Sequence, residues 1–288
     1  MFVTHGETVL TSEDGADTNA LAPCNHEEAD SRMMIHALDA SLHGHRRIKI
    51  RSNDTDVVVL AVSIAPTLPL DELWISFGSS KQIRYLPAHT IATSLGREKA
   101  GVLPMFHALT GCDTVSVFSG RGKKTAWDVW KVFPELTPVL KAMLPEDIDD
   151  TCLDVIERFV ILLYDRTSNL SKVNEVRQEL FSKKSRSLDN IPPTQASLRQ
   201  HVKRAVFQGG FIWGQTLLKH PTLPSPSRWG WQPESYHWVP HWTTLSQAKD
   251  SCYELIRCGC KAGCRGRCKC QKANLTCTGL CNCGGNCN

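Results

Sequence analysis

Residues 46–60, RRIKIRSNDTDVVVL, join an alternating apolar pattern to a pair of aspartates. Ile48 and Ile50 are two residues apart, the spacing that places side chains on one face of a β-strand. We therefore predict a buried strand that ends in a turn bearing Asp54 and Asp56. Sites in open α/β sheets gather beyond the carboxyl ends of the strands, so both carboxylates are candidate site residues.

The segments on either side of this stretch extend an α/β pattern. Upstream, residues 25–42 are predicted to form a helix with Asn25 as its N-cap and Glu28 completing a capping box. Downstream, LWISF at residues 73–77 is a second predicted strand. A helix followed by a short turn and an apolar strand favours an α/β layer fold.

Carboxylates are the candidate catalytic groups of this region. They are Glu28, Asp30, Asp54, Asp56 and, in ALTGCDT, Asp113. Hydrolysis of phosphodiesters by Mg²⁺ or Mn²⁺ needs such a set, because hard cations take oxygen ligands. The pattern alone also fits a structural role, since Asp-Thr-Asp is a common turn and Glu28 has a capping role.

Three segments in order, EEADSRMMIHA, SNDTDVVVL and ALTGCDTVSVFSGRGKKTAW, resemble the flap-endonuclease and XPG-like nucleases of the PIN-like superfamily. The resemblance implies a PIN-like, three-layer α/β domain in which the five acids bind two divalent cations. SGRGKKTA resembles the helix-hairpin-helix turn with which that family grips the DNA backbone. The DNA-binding residues implied there are Gly120, Gly122, Lys123 and Lys124.

The chain also departs from the family. The family takes further aspartates from an N-terminal strand, and only 27 residues precede Glu28 here. We expect that strand to be missing, which would leave an open sheet edge and an incomplete, inactive site. If the site is active, the enzyme is a divalent-metal-dependent endonuclease. Arg121 and Lys123 stand where the family turn has an apolar residue and, commonly, proline.

The C-terminal tail is crowded with cysteines. Nine fall in one short span: Cys258, Cys260, Cys264, Cys268, Cys270, Cys277, Cys281, Cys283 and Cys287. The first residues contain no apolar stretch typical of a signal peptide, so we expect an intracellular chain with reduced thiols. An odd number of thiols also cannot all pair, so metal binding is favoured over disulfides. Three tetrahedral Zn²⁺ ions need twelve ligand positions, which nine thiolates fill if three of them bridge. We predict about three structural zinc ions.

The cysteine spacing and the KANLTCT segment within it resemble the tesmin-type CXC domain, in which cysteines hold zinc and the module binds DNA. The basic residues support the same partner, because cations attract phosphate. The candidate DNA contacts are Lys261, Arg265, Arg267, Lys269 and Lys272. A metallothionein-like zinc store is the alternative interpretation of this tail.

Four regions are predicted along the chain. They are an acidic PIN-like domain (1–145), a helical extension (146–220), a Pro- and Trp-rich linker (221–251) and a CXC zinc module (252–288). Helices are predicted at residues 151–164 and after the Pro-Pro-Thr of residues 192–194. The four tryptophans at 229–242 are expected to strap an extended segment onto the folded domain.

The predicted function is zinc-dependent DNA binding by a protein with a nuclease-like, incomplete domain. The alternative is a non-enzymatic chromatin or DNA-binding regulator whose acidic domain mediates protein contacts. The order of parts also resembles multi-copy animal proteins associated with mobile elements. No apolar run is long enough to span a bilayer, and KKSR at residues 183–186 is a weak nuclear-import motif, so we predict a nuclear protein without membrane contact.

Overall fold

The computed structural model is a mixed helix and sheet fold with a separate cysteine-rich cluster near the C-terminus. This confirms the α/β class at the coarse level. The structure describes residues 1–78, 82–143, 149–182, 190–243, 256–261, 263–272 and 275–285. Within these ranges, no helix combines the length and apolarity needed to cross a bilayer.

The N-terminal half carries the strands that position the acidic residues. A hairpin, β1 (Phe2–His5) and β2 (Thr8–Thr11), precedes helix α1 (Ala29–Leu42). The chain continues through β3 (Arg47–Ser52), α2 (Thr55–Ile64), β4 (Glu72–Phe77) and β5 (Arg84–Pro87). The main sheet has the order β3-β4-β5, with β3 parallel to β4 and β4 antiparallel to β5. Strand β3 therefore lies at one edge of this sheet, and the hairpin does not join it.

The strand predicted within residues 46–60 is β3, and it ends just before Asp54 as predicted, but the expected turn is the start of helix α2, with Asp56 in its first turn. The predicted strand LWISF, residues 73–77, is confirmed as part of β4. The apolar segment VVVL, residues 57–60, belongs to helix α2. The Asp54 carboxylate caps α2 by accepting the backbone N–H of Asp56 at 2.8 Å. Val57, Leu60 and Ala61 are fully buried at helical spacing, so the apolar run serves a helix face rather than a strand.

Helix α1 begins at Ala29, so the prediction that Asn25 caps it is wrong. Glu28 holds the N-cap position but makes no side-chain capping bond. The turn is held instead by Ser31, whose hydroxyl donates to the Glu28 carbonyl at 3.1 Å and contacts His26 Nδ1 at 2.8 Å. The carboxylate of Glu28 is thereby left for other partners.

The rest of the folded domain is helical. Its helices are α3 (Ala88–Leu95), α4 (Arg97–Gly101), α5 (Leu103–Leu109), α6 (Lys123–Val132), α7 (Leu136–Ala142), α8 (Asp150–Tyr164), α9 (Val173–Ser182) and α10 (Gln195–Val206). The predicted helices at 151–164 and after residue 194 are thus confirmed. Thr194 caps α10 by accepting the N–H of Ser197 at 3.2 Å. Helix α10 continues into a π-helix (Phe207–Ile212) and a 3₁₀ turn (Trp213–Gln215).

One hydrophobic core runs through this domain, from Met34 of α1 to Trp229 beyond the helices. The π-helix packs closely on α5, and a Cβ at Gly209 would lie only 2.8 Å from Met105 Cα. Glycine is therefore needed at this crossing. The predicted acidic domain and helical extension share this core, so the extension is part of the structure that surrounds the acidic residues.

The tryptophan-rich segment forms a second hairpin, β6 (Trp231–Glu234) and β7 (His237–Pro240). Trp229 is buried and Trp231 packs partly against the core. Trp238 and Trp242 are 45% and 70% exposed, so the expectation that all four tryptophans strap the segment down is wrong for these two. Trp238 lies on β7, which in the described residues pairs only with β6, and Trp242 lies beyond the end of this hairpin. In the tail, a short helix, α11 (Lys269–Lys272), precedes the last cysteines.

Candidate metal centres and nucleic-acid interface

Three of the predicted catalytic acids converge where α1 and α2 begin. Asp30 lies in the first turn of α1, Asp54 caps α2, and Asp56 lies in the first turn of α2. One carboxylate oxygen of each lies within 4.8 Å of the others, a spacing that a divalent cation could bridge. The strand β3 ends two residues before Asp54, so the site has the predicted location beyond a strand's carboxyl end.

The electrostatics of Asp30 show how crowded this cluster is. Its pKa is raised from 3.8 to about 6, first by burial and then by the charges of Asp54 and Asp56. Glu28 and Asp113 raise it further, so the other four predicted acids all lie within electrostatic reach of Asp30. A proton or a bound cation would relieve this repulsion.

Glu28 is held by two side chains that the sequence analysis missed. Gln208 Nε2 donates to Glu28 Oε1 at 3.0 Å, and Trp213 Nε1 donates to Glu28 Oε2 at 3.0 Å. Both donors are buried and lie on the π-helix and the 3₁₀ turn. The hydroxyl of Thr114 donates to Gln208 Oε1 at 2.9 Å, so Gln208 also links Glu28 to the residue beside Asp113. Asp113 itself is exposed in the loop after α5.

His107 is the other unpredicted member of the site. Its Nε2 lies 2.8 Å from Asp56 Oδ1, and the residue is only 5% exposed. The His107 ring lies 5.8 Å from the ring of Trp213, so the supports of Asp56 and Glu28 are in contact. The sequence signals were faint: a histidine inside the apolar LPMFHAL, and a glutamine before two glycines in FQGGFIW.

The predicted DNA-gripping turn lies between α5 and α6. Gly120 has a φ of +65°, which favours glycine, and Gly122 is the extended N-cap of α6. The ammonium group of Lys123 points back to α5, where it donates to the carbonyl oxygens of His107, at 3.0 Å, and of Gly111. Lys124 is exposed and pairs with Asp128 at 3.0 Å. The role of this turn in DNA binding stays a prediction.

The tail cysteines form three overlapping groups of four. They are Cys258, Cys260, Cys264 and Cys268; Cys258, Cys264, Cys277 and Cys283; and Cys258, Cys270, Cys277 and Cys281. Four thiols match the tetrahedral preference of zinc. Cys258 belongs to all three groups, while Cys264 and Cys277 each belong to two. Cys287, also predicted as a ligand, lies outside the described residues.

The sulfur–sulfur distances suit shared metal ligation. The Sγ atoms of Cys258 and Cys264 are 3.6 Å apart, and those of Cys270 and Cys281 are 3.5 Å apart. A ZnS₄ tetrahedron with 2.3 Å bonds has edges of about 3.8 Å, whereas a disulfide needs about 2.05 Å. All eight described tail cysteines are free thiols. The cluster is therefore compatible with metal binding, zinc among the candidates.

Backbone groups favour thiolates at two positions. A hydrogen bond from the backbone of Gln271 lowers the pKa of Cys268 to about 6, and one from Cys258 lowers that of Cys281 to about 6. The N–H of Cys258 lies 3.5 Å from Cys281 Sγ. Thiolates are the form that ligates metal, so these two positions are prepared for it at neutral pH.

The basic residues predicted to contact DNA lie on the surface of the cysteine cluster. Lys261, Arg265, Arg267, Lys269 and Lys272 are all exposed, while the cysteines between them are buried or half-buried. Inward thiols and outward cations thus share one short segment. No protein-family model, curated protein or solved structure matches this chain.

Proposed function

We propose that this chain is a zinc-dependent DNA-binding protein that carries a nuclease-like, incomplete acidic domain. The observation that supports it best is the cysteine cluster, where overlapping groups of four thiols lie beneath exposed cations. Zinc in this cluster would supply the folding energy that a tail with few apolar side chains lacks. The tesmin-type CXC resemblance leads to the same partner, DNA.

The charge balance supports phosphate as the target of the tail. Three zinc ions and nine thiolates together carry about −3. Six Lys and Arg side chains between Arg257 and Lys272 leave the module at about +3. A metal-loaded tail would therefore still attract a polyanion, whereas a zinc store has no need of outward cations.

For the acidic domain we propose a PIN-like fold. Its support is the helix–strand–helix arrangement that brings Asp30, Asp54 and Asp56 together in the order the resemblance implies. These three residues would hold one Mg²⁺ or Mn²⁺ ion, with Glu28 and Asp113 beside it. A nuclear location and an origin in a mobile element complete the proposal and rest on the sequence resemblance alone.

A second function, a non-enzymatic DNA-binding regulator, is favoured by one observation. Only three of the five acids group within reach of a common ion in the described residues, and two-metal hydrolysis needs ligands around both ions. In that case the acidic surface would mediate protein contacts. A cleavage assay separates the two functions and is described with the predictions below.

DNA binding is tested on the full chain with a duplex oligonucleotide and fluorescence anisotropy. If four tail cations contact phosphate, log affinity should fall with log salt at a slope near −3.6, about −0.9 for each contact. The variant Lys261→Gln, Arg265→Gln, Arg267→Gln, Lys269→Gln should lose most of this slope while retaining its zinc in native mass spectrometry. The control Arg97→Gln, Lys141→Gln, Arg166→Gln removes exposed cations of the folded domain. Equal affinity of tail variant and wild type would reject the proposal.

A further inference from the structure

The three-stranded sheet has one face on the core and an opposite face, here called the open face, that is exposed along β3 and partly covered along β4. The apolar side chains Ile50, Leu73 and Ile75 are buried on the inner face. Alternation along the strands sends the intervening residues to the opposite face. There β3 presents Arg47, Lys49 and Arg51, all of them exposed.

The cations on this open face have no protein partners in the described part of the chain. The Arg47, Lys49 and Arg51 side chains form no ion pair there, although Arg47 pairs in register with Glu72. The Glu72 carboxylate instead accepts the indole N–H of Trp74 at 2.7 Å. Lys49 and Arg51 are in register with Trp74 and Ser76 rather than with an acid, so the column keeps a net positive charge that attracts an anion from outside.

Aromatic rings lie beside the cations on the same face. Lys49 is in register with Trp74 of β4, and Arg51 with Ser76, which is paired in turn with Tyr85 of β5. Trp74 is half-buried and Tyr85 is 57% exposed. A column of cations beside an exposed ring such as Tyr85 is the composition of surfaces that bind single-stranded nucleic acid, with phosphates on the cations and a base on the ring.

The spacing and the direction of the column add to this argument. Alternate residues of a strand lie about 6.6 Å apart, comparable to successive phosphates of an extended single strand. The column runs toward the carboxyl end of β3, and Asp54 follows that end by two residues. A strand laid along the column would therefore arrive at the acidic cluster.

We propose that the open face of the β3-β4-β5 sheet binds single-stranded nucleic acid and leads it to the acidic cluster. This inference rests on the proposed function, because it gives the acidic site its substrate strand. It adds a second nucleic-acid surface, distinct from the tail, with Arg47, Lys49 and Arg51 as phosphate contacts and Tyr85 as a stacking platform. A duplex buries its bases and should use this face poorly.

The test compares six forms of the full chain by anisotropy with labelled dT₂₀, rU₂₀ and a 20-base-pair duplex. They are the wild type, the sheet variant (Arg47→Gln, Lys49→Gln, Arg51→Gln), the tail variant and the control variant defined above, a combined variant and Tyr85→Ala. The combined variant carries the sheet changes together with the tail changes, so that binding by the tail cannot mask the loss of the sheet cations. Because the substituted residues are exposed, the variants should keep the wild-type circular dichroism and thermal unfolding.

We expect the tail variant to keep single-strand binding and to lose duplex binding. Adding the sheet changes should weaken single-strand binding about 100-fold at 0.1 M salt and reduce the salt slope by about 2, from 0.7 for each of three contacts. Tyr85→Ala should weaken it about fivefold or more through lost stacking. The dT₂₀ and rU₂₀ arms separate DNA from RNA as the source of the strand.

The outcomes distinguish this inference from the proposed function. If the sheet changes, added to the tail variant, leave its single-strand binding unchanged, the inference fails, and the cations serve only to protect an edge strand from pairing with other chains. If the tail variant loses single-strand and duplex binding alike, the inference also fails while the function proposed for the tail stands. If the tail variant keeps both and the sheet variant loses single strands, the tail proposal fails and the inference stands.

Discussion

Replacing Asp30 by asparagine should stabilise the protein at neutral pH and do so less in acid. The folded-state pKa of Asp30 is raised from 3.8 to about 6 by burial and by the neighbouring carboxylates. A raised acid pKa means that folding disfavours the charged form, so the penalty is absent below about pH 4. It grows as the pH rises toward 6 and is then constant. Asparagine carries no charge and removes this penalty.

The size of the effect follows from three terms. The folded-state pKa of Asp30 lies roughly two units above its ordinary value, which corresponds to about 3 kcal/mol at 1.4 kcal/mol per unit. Asp30 is only half-buried, and solvent screening reduces this to about 1–1.5 kcal/mol. A carboxylate in the first turn of a helix also stabilises it by about 0.5 kcal/mol, which the substitution loses. The net gain at pH 7.5 should be about 0.5–1 kcal/mol, with most of it gone at pH 4.5.

The measurement is urea unfolding of both proteins at pH 7.5 and pH 4.5, in chelator-treated buffer. Glu175→Gln is the matched control, because Glu175 is an exposed carboxylate in the first turn of α9, outside the acidic cluster. It should lose a few tenths of a kcal/mol at pH 7.5 through the helix dipole alone. If Asp30→Asn loses stability as this control does, or gains the same amount at both pH values, the argument from carboxylate repulsion is wrong.

Three further predictions follow from the same geometry. Cys258→Ser should remove more than one zinc from the full chain in native mass spectrometry, because Cys258 belongs to all three thiol groups. The control Cys152→Ser, outside the cluster, should remove none. Full zinc content in Cys258→Ser would contradict shared ligation. Gln208→Met should cost about 1–3 kcal/mol in urea unfolding, since Glu28 and Thr114 each lose a buried partner, whereas Gln82→Met, at an exposed position before β5, should cost less than 0.5 kcal/mol. With Mn²⁺, the wild type should show little or no cleavage of flap, single-stranded or duplex DNA; robust cleavage that disappears in both Asp54→Asn and Asp113→Asn would make this protein an enzyme.

The sequence by itself determined the features whose chemistry is local. Cysteine spacing predicts a metal cluster because thiols a few residues apart need little chain folding to meet, and eight of the nine predicted ligands group in this way. Alternation at Ile48 and Ile50 predicts β3, and the Pro-Pro-Thr signal predicts the start of α10, because both depend on neighbouring residues. The nearby Asp54 and Asp56 were likewise predictable as a pair.

Only the tertiary structure decided what joins residues far apart in the chain. Glu28 looked like a capping residue, yet its carboxylate is held by Gln208 and Trp213, about 180 residues later. The approach of α5 to the π-helix at Gly209 brings these donors to the site, and no local pattern encodes that contact. The sequence analysis left the apolar run after Asp54 without an assignment for a related reason: a short apolar segment suits a strand or a buried helix, and the neighbours that cover helix α2 make the choice.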